Sequence, residues 1–221
     1  MTAFPSPRAR PGLLILASLL LCLVLPWPAE GSLDHYIRKY KKIKASPAQL
    51  KKLRQYDHLI TYYANIAYFK PRHKVNADFM RALILAESNA DPRAVSKKGA
   101  RGLTQIMYAT GKQAARELLA KKISFRHVSA TTLRNLEPDD LHDPALNILL
   151  ACYMISKYNA TYGGKLDLVV SAWNAGENSI KNNKPPNYRE TLDLIGKVNG
   201  YFVYFLYQGR DSYRYAYRYR K

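Results

Sequence analysis

Glu87 closes the apolar run Ala82-Leu83-Ile84-Leu85-Ala86. A carboxylate at the end of such a run is drawn part-way out of water. Desolvation disfavours its charged form and lifts its pKa toward the range useful to a general acid. The same residue at an ordinary helix end is solvated and has no chemical role, so local pattern alone leaves both readings open. No metal-ligand pattern is visible around the other titratable residues. His127 and His142 lack neighbouring Cys or His at ligand spacing. Two cysteines, Cys22 and Cys152, make neither a disulfide framework nor a CxxC-type site.

Downstream of Glu87 the chain turns polar and glycine-bearing, through Ser88-Asn89-Ala90-Asp91-Pro92-Arg93-Ala94-Val95-Ser96-Lys97-Lys98-Gly99-Ala100-Arg101-Gly102-Leu103-Thr104-Gln105-Ile106-Met107. Three further stretches follow: Asp140-Leu141-His142-Asp143-Pro144 with Asn147, then Ala172-Trp173-Asn174-Ala175-Gly176, then Tyr188-Arg189-Glu190-Thr191. In order and in spacing, over roughly residues 60–205, these four resemble the motifs of the soluble lytic transglycosylases. The resemblance implies a mainly α, lysozyme-like helical domain with long cleft-lining loops. It implies a peptidoglycan lytic transglycosylase, which cuts the β-1,4 bond between N-acetylmuramic acid and N-acetylglucosamine and leaves 1,6-anhydromuramic acid ends.

The implication is residue-specific. Glu87 matches the family's single catalytic carboxylate, acid first and base afterwards, so the two-carboxylate scheme of most glycosidases is not required. Ser96, Gln105, Asn174 and Tyr188 match its substrate-binding positions. Each also has a structural alternative. Gln105 and Asn174 are amides that serve backbone as readily as sugar, Tyr188 could simply pack, Ser88 could only satisfy a helix end, and Trp173 suits a core better than a sugar platform. Two positions depart from the family pattern. Thr104 stands where Met is usual and Trp173 where Tyr is usual, so an apolar contact and a phenol hydroxyl are lost. No metal and no cofactor is implied. The family reaction needs a glycan strand as partner, and the chain's small size is compatible with service to a cell-envelope or secretion machinery. Two alternatives stand beside this reading: a lysozyme-like hydrolase that uses water as nucleophile, and a non-catalytic cationic protein that binds wall or another polyanion.

The elements that must position these residues are helical. Leu50, Leu53, Tyr56, Ile60, Tyr63 and Ile66 recur at three- and four-residue spacing until Lys70-Pro71. Asp78 is the expected N-cap of a helix from Phe79 to about Ser88, with a loop over 89–102 and a short helix from Leu103. Residues 111–143 show no clear period. Pro144 suits the first turn of a helix reaching about Tyr158, whose apolar face includes Cys152. Gly163-Gly164 turns the chain, Asp167 caps a helix that stops at Gly176, and a last helix spans about Tyr188 to Tyr207. No window alternates with period two between hairpin turns.

The 221 residues are 48% hydrophobic and 23% charged, which excludes a disordered chain and an all-membrane one. That length suits one domain with extensions: a leader over 1–31, a basic arm or surface helix over 32–59, a catalytic domain over 60–207 and a tail over 208–221. The leader has Arg8 and Arg10 ahead of the apolar run Leu13 to Leu25, which is short of the ~20 residues of a bilayer span. It breaks at Pro26-Trp27-Pro28 and offers cleavage after Gly31. It predicts export to the periplasm or cell envelope with no membrane span after processing. Lys and Arg number 35 against 16 Asp and Glu, a net charge of +19, which favours anionic partners. Nucleic acid is not expected, since no recognised nucleic-acid motif is present and the leader directs the chain elsewhere. Tyr213-Arg214-Tyr215-Ala216-Tyr217-Arg218-Tyr219-Arg220-Lys221 is either a wall-adhesion or docking arm or a solvated end.

Overall fold

The computed structural model of the chain describes residues 31–69 and 74–209. The leader, apart from Gly31, the Lys70-Pro71 stop, and the tail beyond residue 209 lie outside the described residues. Within them the fold is helical, and β-pairing is confined to isolated bridges such as Val95–Arg101 and Arg101–Ile106.

Helix α7 (Pro144–Tyr162) forms the centre. Thirteen of its nineteen residues are buried, including Leu146, Ile148, Leu149, Leu150, Cys152 and Ile155. A helix buried on nearly every face has no polar stripe to turn to water and must be surrounded. It starts at Pro144, where the missing N–H costs nothing, and Asp143 Oδ1 accepts the Leu146 N–H at 2.8 Å. It ends at Gly163, whose φ of +62° glycine adopts without a Cβ penalty. Helices α3 (Asp57–Ala64), α5 (Tyr108–Ala120) and α8 (Leu166–Ala175) pack around it. Cys152 is fully buried, and burial pushes its thiol far up, which leaves it an inert core residue.

A second layer is organised by α9 (Arg189–Tyr204), against which α1 (Leu33–Tyr40), α4 (Ala77–Ser88) and α8 all lie. The stretch expected as an arm or a surface helix begins with α1, and α1 is docked. Gly196 and Gly200 are spaced one helical turn apart on α9. A Cβ on Gly196 would sit 2.6 Å from the Tyr36 carbonyl oxygen, and one on Gly200 would sit 2.5 Å from that of Tyr40. Only the absence of side chains lets the two backbones approach. Asp193 then accepts hydrogen bonds from Lys39 Nζ at 2.6 Å and from the Tyr40 hydroxyl at 2.9 Å. Helix α2 (Pro47–Arg54) follows, closed by a reciprocal capping box between Ser46 and Gln49.

Several boundaries differ from the expectation. Asn76, not Asp78, caps α4: its side chain accepts from the Asp78 and Phe79 amides, while Asp78 pairs with Arg81 at 2.7 Å. Asp167 lies in the first turn of α8 and Lys165 is the cap residue. No helix starts at Leu103. Gly102 at φ +78° and Gln105 at φ +54° make a turn there, and α5 begins at Tyr108. The buried face of α5 is Gly111, Ala114, Ala115 and Leu118, and the first three are too small to register as an apolar period. Two short helical pieces, α6 (Ala130–Arg134) and a 3₁₀ turn (Pro138–His142), bridge to α7. The last helix gives way to a π turn over Phe205–Gly209.

Candidate active site

Glu87 lies in the last turn of α4, whose preceding residues Ala82 to Leu85 are buried. The helix must stop immediately after it, and Asn89 does so in the left-handed region at φ +57°. Ser88 fixes the exit by donating to the Leu103 carbonyl at 2.7 Å, so it serves the helix end.

The loop that returns past Glu87 is folded by one buried side chain. Asn147, on α7 and fully buried, donates to the carbonyls of Leu141 at 2.9 Å and Arg101 at 3.1 Å. It accepts from the Thr104 amide at 2.9 Å and the Thr104 hydroxyl at 2.7 Å. All its hydrogen-bonding capacity is spent on the loop. Gly102 packs so closely here that a Cβ would overlap the Leu141 carbonyl oxygen and Asn147 Nδ2. Thr104 is therefore a buried partner of Asn147 and not merely a lost apolar contact.

Between this loop and the ends of α8 and α9 lies a pocket of about 270 Å³ lined by Glu87, Ser96, Lys98, Ala100, Gln105, Ile106, Met107, Thr110, Met154, Trp173, Asn174 and Glu190. Two larger hollows, around Lys74 and Phe202 and around His35 and Arg189, have no carboxylate in their lining, while a third, around Pro92 and His142, is lined by Asp139 and Asp143. Of the expected site residues, Glu87, Ser96, Gln105 and Asn174 meet in the Glu87 pocket. Tyr188 does not. It is the N-cap residue of α9, 56% exposed, and absent from the lining.

Several polar side chains of the pocket are held by defined partners. Ser96 Oγ accepts the Ala100 N–H at 3.0 Å. Gln105 Nε2 donates to the carbonyls of Gly102 at 2.9 Å and Ala94 at 3.1 Å, holding the loop. Asn174 Oδ1 accepts the Thr191 hydroxyl of α9 at 2.6 Å. Trp173, expected as core, is partly buried against it and also donates its indole N–H to Glu87 Oε1 at 2.8 Å. Opposite it, Lys98 Nζ meets Glu190 Oε2 at 2.8 Å across the mouth of the pocket, an exposed pair that joins the loop to α9.

Burial pushes the Glu87 carboxyl up to about 7. The Trp173 N–H and the Lys197 ammonium pull it down, and the Glu190 carboxylate adds to the rise. A carboxyl poised near neutrality is matched to giving and receiving a proton. Glu190 is the pocket's other carboxylate, and it is tied to a lysine. Among the described residues no group of three or more His, Cys, Asp or Glu side chains is placed to hold a metal ion.

Sequence reasoning missed Trp173 as a partner of Glu87, together with Lys98 and Glu190. Glu190 was within reach of it, being part of the last motif; Lys98 lies 92 positions from its partner and left no local signal.

The chain is similar to known proteins. The family described as the transglycosylase SLT domain matches residues 65–193, which include Glu87, the Asn147-pinned loop, Trp173 and Glu190. Among solved structures, an inactive mutant of the lytic transglycosylase Slt from Pseudomonas aeruginosa superposes with a TM-score of 0.53. It has 20% sequence identity and covers 67% of this chain and 24% of its own. The 70 kDa soluble lytic transglycosylase from Escherichia coli gives a TM-score of 0.50 at 18% identity, over 79% of this chain and 32% of its own. These likenesses carry the helical fold, and the chain spans only about a quarter to a third of either protein. With the family matched over more than half of its length, and a carboxyl held near neutrality inside the matched region, the chain belongs to the transglycosylase SLT domain family.

Proposed function

We propose that the chain is a peptidoglycan lytic transglycosylase with Glu87 as its acid and base. The observation that carries this is the pairing pattern in one pocket. Glu87 is bonded to a neutral N–H and held near neutrality, while the other carboxylate, Glu190, is neutralised by Lys98. Neutral Glu87 protonates the oxygen between N-acetylmuramic acid and N-acetylglucosamine. The C1–O bond breaks, and the muramic acid acetamido group holds the positive charge that develops at C1. Ionised Glu87 then takes the proton of the C6 hydroxyl as that oxygen bonds to C1, which closes the 1,6-anhydro ring. No water is consumed. Ser96 Oγ, Gln105 Oε1 and Asn174 Nδ2 are the groups left to meet the sugar. Tyr188 remains a proposed substrate-binding residue outside the pocket lining.

A reaction on peptidoglycan and the leader expected over 1–31 both support a proposed location in the periplasm or cell envelope. No helix among the described residues is long and apolar enough to cross a membrane. An envelope machinery that needs local wall clearance is the proposed client.

Glu190 beside Glu87 favours one competing reading, a hydrolase in which a second carboxylate activates water. A single experiment separates them. Purified sacculi are digested with wild type and with Glu87→Gln, and the fragments are weighed by mass spectrometry. Anhydro ends, lighter by one water, from wild type alone support the proposal. Reducing ends convert it to hydrolysis, equal yields from both proteins remove Glu87 from its role, and binding without release leaves a cationic wall-binding protein.

A further inference from the structure

We infer that the indole N–H of Trp173 is a positioning group that decides which oxygen of Glu87 carries the transferable proton. This rests on the acid–base reading of Glu87 above. Trp173 Nε1 lies 2.8 Å from Glu87 Oε1, and no hydrogen bond from the described residues reaches Oε2. An indole N–H donates and never accepts. In the neutral acid the oxygen facing that donor is best served as the carbonyl-type acceptor, because a proton on Oε1 would weaken the acceptor and crowd the N–H. The proton therefore resides on Oε2. A hydroxyl in the same place, able to donate or accept, would leave both tautomers open.

The donor is also fixed in space. Trp173 lies in the last turn of α8, partly buried against the core, and both α8 and α4 are packed against α9. The charged groups near Glu87 are Lys197 and Glu190 on α9, and Lys98 on the loop, which pairs with Glu190. They bias its charge, but none hydrogen-bonds it, so none selects an oxygen. Once the Oε2–H bond breaks and the leaving sugar oxygen takes the proton, the same N–H stabilises the carboxylate as a charge-assisted donor. Oε2 is then free to recover a proton from the C6 hydroxyl. One atom gives the proton and takes one back, and the other stays anchored.

The test replaces Trp173 with 3-benzothienylalanine, which keeps the bicyclic shape and puts sulfur where the N–H stood. Trp173→Phe and Glu87→Gln run beside it. Turnover of sacculi is followed from pH 5 to pH 9. The benzothienyl protein and Trp173→Phe should lose kcat by about 10- to 100-fold with KM changed less than about threefold. Their alkaline limb should move up by about one pH unit, because the ionised form has lost its donor. Wild-type kcat with an unmoved limb in the benzothienyl protein overturns the inference. So does a loss of kcat with the limb in place, which is what a packing role alone would give. If Glu87→Gln keeps wild-type activity, the acid–base reading itself fails, whatever the Trp173 variants do.

Discussion

Glu87→Gln should make the folded protein more stable above neutral pH while removing its activity. Folding raises the Glu87 pKa from its ordinary 4.5 to about 7, mainly by burial. The folded state therefore holds that proton more tightly than the unfolded state does. Below pH 4.5 both states are protonated, and Glu87 carries no charge penalty. As pH rises from 4.5 through 7 the unfolded chain ionises first, and the fold loses stability relative to a neutral side chain. At about 1.4 kcal/mol per pH unit, the full loss is about 3 kcal/mol. That is an upper figure, since the carboxylate opens onto the pocket and water screens part of the penalty. Gln keeps an oxygen for the Trp173 N–H and has no charge to desolvate. At about 2–4 °C per kcal/mol for a chain of this size, the variant should melt above wild type at pH 8.5 by at most about 6–12 °C. The two should nearly coincide at pH 4. Paired thermal melts across that range provide the check. A melting difference that stays constant with pH, or a wild type that gains on the variant as pH rises, would refute both the raised pKa and the burial that causes it.

For the reaction itself, kcat/KM on sacculi should fall above about pH 7 with the slope of a single ionisation, as Glu87 loses the proton it must donate; a flat profile to pH 9 would contradict this. Asn147→Ala removes four hydrogen bonds and leaves buried loop groups unpaired. It should lower stability by about 2–4 kcal/mol in urea titrations, and Asn147→Asp should not restore it, since a carboxylate cannot donate to the Leu141 and Arg101 carbonyls. Gly102→Ala should be similarly costly, because its Cβ would overlap that same junction at a left-handed φ. Deleting residues 211–221 should weaken co-sedimentation with sacculi at low salt; unchanged pelleting would reject the adhesion arm.

The parts of this molecule that were legible in sequence are those whose signal is local. The Asp143-Pro144 start of α7, its buried run and its glycine stop are each set by adjacent residues, and the helix forms between them. The α4 apolar run ending in Glu87 is equally plain. Helix α5 was hidden because Gly111, Ala114 and Ala115 make its buried face, and small residues bury a surface without advertising it. Between Gly102 and Tyr108 a helix was expected and a turn is found. The turn's cause is Asn147, more than forty residues away on another element, whose side chain out-competes local propensity.

By itself, then, the sequence determined a helical chain, a carboxylate ending an apolar run and four motifs in family order. Periodicity, caps and motifs are properties of neighbours along the chain. Tertiary structure alone decided that Trp173 bonds Glu87 across 86 positions, that Glu190 and Lys98 close the mouth of the pocket while Tyr188 stays outside it, and that α1 is locked to α9 through two glycines. A carboxyl pKa near neutrality belongs to that second class. It is a sum over every group that excludes water from, or aims charge at, one pair of oxygens, and those groups come from separate elements brought together only by folding.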